Sequence, residues 1–364
     1  MTTRRGFLAS LAAAAAAPSL TWADAGSPEF LAAAKEPDGG FALFGLTARG
    51  QVTFRIPLPA RGHAGAGHPV RPEAVTFARR PGTHALVIDC VHGTVIQRLT
   101  APGGHHFSGH GAFSADGRTL FTAEIDSVTG LGGVGLWRRS DGYDRVGGFA
   151  SGGIGPHELL RLPGRDILVI ANGGIVEGGG DGRTKLNLDT MRPNLSYMTA
   201  DGELLDRVDL PPELRGNSIR HIAAHPDRQV AFAMQWEHDR AIRPPLLGLH
   251  RPGSAPRLCA VPDALAPRLA NYAGSVSFSG DGAQVAITCP KGGSIAIFDR
   301  SGAFIDLLAR ADVCGIGRIG SGGFLTTDGL GGLMELSSGR LRPLAAFDRA
   351  WDNHLIGLRG ATTA

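Results

Sequence analysis

Apolar runs of four to eight residues recur along the chain, punctuated by Gly, Pro, Asp and Asn, and this spacing predicts antiparallel strands. The unit is clearest at 110–149. A strand at 110–113 runs into Ser114-Ala115-Asp116-Gly117-Arg118, a turn signal, and a second strand follows at 119–123. After a glycine-rich loop come strands at 134–138 and, past Asp141-Gly142, at 145–149. The same order recurs at 157–162, 167–171, 195–199 and 204–210, then from 220 to 261, from 275 to 308 and from 314 to 347. A unit with first strand 73–77, then 85–89 and 94–99, precedes them. This leaves a C-terminal strand at 354–358 and N-terminal strands at 30–34, 41–46 and 51–56, which together make a seventh unit. Joining strands from both termini protects sheet edges, and a repeat of about 40 to 60 residues is blade-sized. The predicted fold is therefore all-β: a seven-bladed β-propeller closed by N- and C-terminal strands in a shared blade.

Composition fits a turn-rich globular chain: 43% of the 364 residues are hydrophobic, 19% are charged, and 54 are glycine. A net charge of +3 without a Lys/Arg run argues against nucleic-acid or membrane binding. The N-terminus reads as a leader. Thr3-Arg4-Arg5-Gly6-Phe7-Leu8-Ala9 matches the twin-arginine export pattern, an alanine-rich run follows, and Ala23-Asp24-Ala25 is a small-x-small cleavage cue. The expected division is a twin-arginine signal peptide at 1–25 and a single propeller at 26–364. The apolar run is too short for stable membrane insertion. The expected location is the periplasm, with the twin-arginine translocase as the partner during export. Cys90, Cys259, Cys289 and Cys314 form no CxxC pair, so isolated buried thiols are expected.

Candidate chemistry follows from the blade position of four histidines. His110, His157, His221 and His354 each lead a predicted first strand, and first strands line a propeller's channel. Second-strand ends lie on the same face and supply Glu124, Asn172, Gln235 and Cys289, with Asp89 and Asp328 at matching places. One channel mouth thus collects imidazoles, carboxylates and amides. Imidazoles bind iron, copper and zinc, and carboxylates orient them. His110, His157, His221 and Glu124 are the candidate metal ligands. Asn172, Arg220 and Gln235 are candidate ligand-binding residues, Arg220 for a carboxylate or phosphate. Alternation aims Glu158 away from His157. His354 is assigned to ring closure, and His63, His68, His92, His105 and His106 to solvated loops. The insert at 174–194, GIVEGGGDGRTKLNLDTMRPN, is a candidate lid or docking loop over the mouth. Two alternatives stay open: a lactonase-like hydrolase using channel His and Glu side chains, and a protein-docking scaffold with structural histidines. The sequence has no GxSxG elbow, so a hydrolase would need a metal-bound water or a His–Glu pair.

The segments SGHGAFSADGRTLFTAE, SGGIGPHELLRLPGR, KLNLDTMRPNLSY, LPPELRGNSIRHIA and NYAGSVSF resemble a bacterial family known as domain of unknown function 1513. The resemblance covers nearly all of the chain after the leader. It implies a twin-arginine-exported propeller encoded beside imelysin-like and dihaem thiol-oxidoreductase-like proteins, in gene clusters responding to iron. Imelysin-like or haem proteins are thereby the implied periplasmic partners, and an accessory role in iron or metal acquisition the implied function. It assigns no reaction and no catalytic residue.

Overall fold

The computed structural model describes residues 20–79, 82–178, 184–320 and 322–358. Seven antiparallel sheets form the seven-bladed propeller, with consecutive strands hydrogen-bonded outward from the channel in each blade. The second blade runs His105–Phe113, Thr119–Asp126, Leu131–Arg138 and Asp144–Ile154. The third runs Pro156–Arg161, Ile167–Asn172, Asn194–Thr199 and Leu204–Asp209. The inner strands of the fourth, fifth and sixth blades are Asn217–Ala224, Ser275–Phe278 and Val313–Ile319. Ring closure follows expectation in outline. Phe30–Lys35, Phe41–Leu46 and Val52–Leu58 form the outer three strands of the seventh blade. Its inner edge is a split C-terminal strand, Ala350–Trp351 and Ile356–Gly357, both paired to Phe30–Lys35. His354 sits in the gap between those two pieces.

The first blade differs from the sequence reading. Its inner strand is Gly62–Gly67 (GHAGAG), and Glu73–Ala78 is the second strand rather than the first. Asp89 therefore ends a third strand, away from the position inferred for it, and caps its own turn by accepting from the Val91 and His92 N–H groups. Glycine-rich sequence reads as loop because glycine has low strand propensity. Here it is sterically required: a Cβ on Gly65 would lie 2.2 Å from the Val75 carbonyl oxygen.

Apolar layers between neighbouring blades make up the core. Val169, Tyr197, Ile219 and Phe232, for example, interlock the third and fourth blades. All four cysteines are buried free thiols. Residues 1–19, which hold most of the expected leader, lie outside the described residues. At the start of the described chain the Trp22 indole donates to the His68 carbonyl at 2.9 Å, and Ala25 is buried against the first and seventh blades. Among the described residues no helix is long and apolar enough to cross a membrane.

Candidate metal centre

Inner strands at a propeller axis crowd one another, and most of these relieve the crowding with β-bulges. The ladder to the second strand slips between Gly62 and Gly65, between Phe107 and Gly111, between Pro156 and Glu158, and between Ile219 and His221. A bulge breaks strict alternation and re-aims side chains. His63, His110 and His157 lie inside three of these slips, and His221 closes the fourth. In the second blade Gly109 adopts φ +108°, and a Cβ there would strike the His63 ring at 2.2 Å. The bulges and the glycine together bring five imidazoles to the axis.

His63, His110, His157, His221 and His354 form a closed ring of contacts. Centroids of successive rings are 5.0 Å (His63–His110), 5.2 Å (His110–His157), 4.7 Å (His157–His221), 4.7 Å (His221–His354) and 4.9 Å (His354–His63) apart. Two triads can each hold a metal ion: His63, His110 and His354, and His110, His157 and His221, each offering nitrogens within 4.8 Å of one another. A metal–imidazole bond is about 2.0–2.1 Å, so rings near the 4.8 Å limit must close in on an ion to share it. Buried His63 Nδ1, His110 Nε2, His157 Nδ1 and His354 Nε2 have no hydrogen-bond partner. Buried polar atoms are normally paired, so four orphans in one nest fit a cation that takes their lone pairs.

Electrostatics prepare these rings for that role. Burial holds His110 and His221 down to about 3, with Arg220 adding to the effect on His221, while Glu158 pulls His110 the other way. Burial and neighbouring cations likewise keep His63, His157 and His354 well below the ordinary imidazole value. All five are neutral at pH 7, the form that ligates metals.

The carboxylate at the nest is Glu158. His221 Nδ1–H donates to Glu158 Oε2 at 3.0 Å, the Ile222 N–H donates to the same oxygen at 3.2 Å, and Oε1 lies 3.8 Å from His110 Nδ1. Burial raises the Glu158 pKa, against the pull of His110 and the Ile222 N–H. The Glu158 side chain is partly buried, with 21% of it accessible. Glu158 fixes the His221 tautomer and turns Nε2 toward the nest, the usual task of an outer carboxylate. Glu158→Gln is expected to weaken metal binding by roughly 10–100-fold without unfolding the propeller, measured by competition with a chromophoric chelator.

The other candidates separate. Glu124 is buried but turned away into its blade, paired with Arg145 at 2.9 Å and accepting from Thr122 Oγ1–H at 3.2 Å. Asn172 is consumed by a buried network, donating to Asn194 Oδ1 and the Ser151 carbonyl and accepting from Ser151 Oγ–H. Gln235 donates to the Ala273 carbonyl at 3.1 Å. Asp328 caps Leu330 and Gly332 and pairs with Arg310. Cys289 is buried, and Cys314 faces the Thr327 and Asp352 carbonyls. Arg220 keeps its place near the mouth: with His106, Ser108, His157 and Glu177 it lines a recess of about 430 Å³, open solvent included. Of the histidines expected in solvated loops only His92 fits, since His105 and His106 open the inner strand of the second blade and two more are buried or in the nest. His63 is in the nest, and His68 is buried, its Nδ1 accepting from the Val70 and Arg71 N–H groups. The nest also lies below the mouth rather than at it, with His157 as its accessible edge.

The described part of the insert is tied down beside the mouth. Glu177–Gly178 pairs with Thr184–Lys185, Lys185 pairs with Glu237, and Asn187 bonds both Val176 and Gly174. Residues 179–183 lie outside the described residues.

A family model described as "Protein of unknown function (DUF1513)" matches residues 56–358. No curated protein matches the sequence. Among solved structures, hydrazine synthase of Kuenenia stuttgartiensis is similar at TM-score 0.58 and 13% identity, over 87% of this chain and 95% of that one. A streptogramin B lyase structure is similar at TM-score 0.54 and 12% identity, over 78% and 82%. At such identities the likeness is one of fold alone.

Proposed function

We propose that this chain, which belongs to the DUF1513 family, is a periplasmic propeller that binds a transition-metal ion, or a complex of one, on its axial imidazoles. The observation that carries the reading is the packing of five imidazoles into two triads able to hold a metal, four of the rings having a buried nitrogen without a hydrogen-bond partner. An all-nitrogen donor set suits iron, copper or zinc and not magnesium or calcium, which take oxygen ligands. An accessory part in iron or metal acquisition follows if iron is the ion bound in the cell. Elemental analysis of protein purified from its own periplasm tests this: stoichiometric metal is expected, and metal-free protein that also fails to take up Fe, Cu or Zn in vitro would sink the proposal. Export through the twin-arginine translocase is tested by fractionation, where Arg4→Lys/Arg5→Lys should hold the protein in the cytoplasm. Unchanged export of that variant refutes the leader.

A specific observation favours a docking role for the same face. Four of the seven loops joining second to third strands on the mouth side present a large exposed apolar side chain: Val128 (83% exposed), Leu186 (61%), Ile242 (50%) and Leu330 (68%). A partner spanning these loops would cover the four side chains together. The imelysin-like or haem protein implied by the family resemblance is the proposed occupant. Leu186→Asp/Leu330→Asp should abolish its binding in a titration with purified proteins; wild-type binding in that variant would remove this face from consideration.

A further inference from the structure

We infer that the recess above His157 receives the carboxylate of a small organic acid that binds together with the metal, and that Arg220 is the group that holds it. The inference rests on the metal reading and adds a ligand class to it. Arg220 is 6% exposed, and its Nε has no hydrogen-bond partner. Its nearest ion-pair partner, Glu237 Oε1, lies 3.7 Å from NH2, beyond hydrogen-bond distance, and Glu237 already pairs with Lys185. A buried guanidinium thus keeps part of its fork open, beside His157, on the wall of the recess.

Charge balance then selects the ligand. A divalent cation on His110, His157 and His221 would share a desolvated site with the Arg220 guanidinium, and Glu158, the carboxylate of the nest, offsets only part of that positive charge, so a further anion between metal and guanidinium is favoured. A carboxylate meets both demands. One oxygen takes the planar guanidinium, as a charge-assisted bond, and the other takes an open position on the metal. The remaining walls fit the rest of such a molecule. Phe107, Ile125 and Ile175 offer apolar cover for its carbon skeleton.

Equilibrium dialysis of labelled acetate and of labelled citrate against the full-length mature protein, with and without Co(II), tests the inference. Stoichiometric uptake that depends on Co(II) is expected. Uptake of both acids means that a free carboxylate suffices, and uptake of citrate alone means that the metal enters as a chelate; both outcomes support the assignment. Arg220→Gln should weaken anion uptake about tenfold or more, the worth of one charge-assisted hydrogen bond, while Co(II) stays bound. Arg220→Lys keeps the charge without the fork and should retain the fold and lose most of the uptake. Co(II) binding with no anion uptake, or wild-type uptake in Arg220→Gln, overturns the inference and leaves the metal reading standing. Failure to bind Co(II) at all removes the metal reading and, with it, this one.

Discussion

Replacing His110 with alanine is expected to cost more than about 100-fold in affinity for Co(II), Cu(II) or Zn(II), beyond what loss of an outer partner costs. His63→Ala and His157→Ala should each do less. The reason is geometric: His110 belongs to both triads, whereas His63 belongs to one and His157 to the other. Removing His63 leaves His110, His157 and His221 whole, and removing His157 leaves His63, His110 and His354 whole. Removing His110 breaks both. The ring is 4% exposed and has no partner on Nε2, so its truncation deletes no hydrogen bond of that atom. Loss of fold is therefore not the expected route to loss of metal, and circular dichroism of the chelated variants checks this. Metal titration monitored by competition, on variants with wild-type spectra, gives the ranking. Equal affinities for wild type and His110→Ala would refute a metal site on these triads.

What the chain revealed in advance depended on periodicity. Strands of β-branched and aromatic residues separated by turn signals disclosed the blades and their closure, because alternation and turn chemistry are local properties. The inner strand Gly62–Gly67 escaped because its glycines serve close packing at the axis, a tertiary demand that overrides local propensity. His63 was lost with it. The available signal was the alternation of RGHAGAGH, small residue against histidine, in a blade otherwise one strand short. The choice between Glu124 and Glu158 failed for a different reason. Strand order places Glu124 near the correct face but says nothing of which way it points, and Arg145 claims it. Glu158 appeared to alternate away from His157, yet the neighbouring blades bring His110 and His221 to it, and the bulge beside it has no mark in one sequence.

Acid is expected to destabilise the metal-free protein steeply, beginning near pH 6.5. Burial is the first cause of the depressed pKa of each ring in the nest, to about 3 for His110 and His221, and it holds His68 at about 4. The unfolded chain takes up protons on these imidazoles near the ordinary value of about 6.5, and the folded chain does not. Below pH 6.5 the unfolded state therefore binds more protons, and stability falls with pH until the folded-state values are reached. Glu158 has the opposite sign, since its raised pKa makes the folded chain gain a proton first, but it is one group against six. Carboxylates with depressed values, such as Glu73, add their loss mainly below about pH 4.5, so the histidines dominate the window from 6.5 to 4.5. Each imidazole protonated only in the unfolded state contributes a slope of about 1.4 kcal/mol per pH unit. Denaturant titrations of chelated protein across that window should show a slope of several such protons, and His221→Gln should lower it by about one. Bound metal, which requires neutral imidazoles, should raise stability throughout and shift the acid transition to lower pH. Stability unchanged between pH 6.5 and 4.5 would contradict the buried, neutral state of the nest on which metal binding depends.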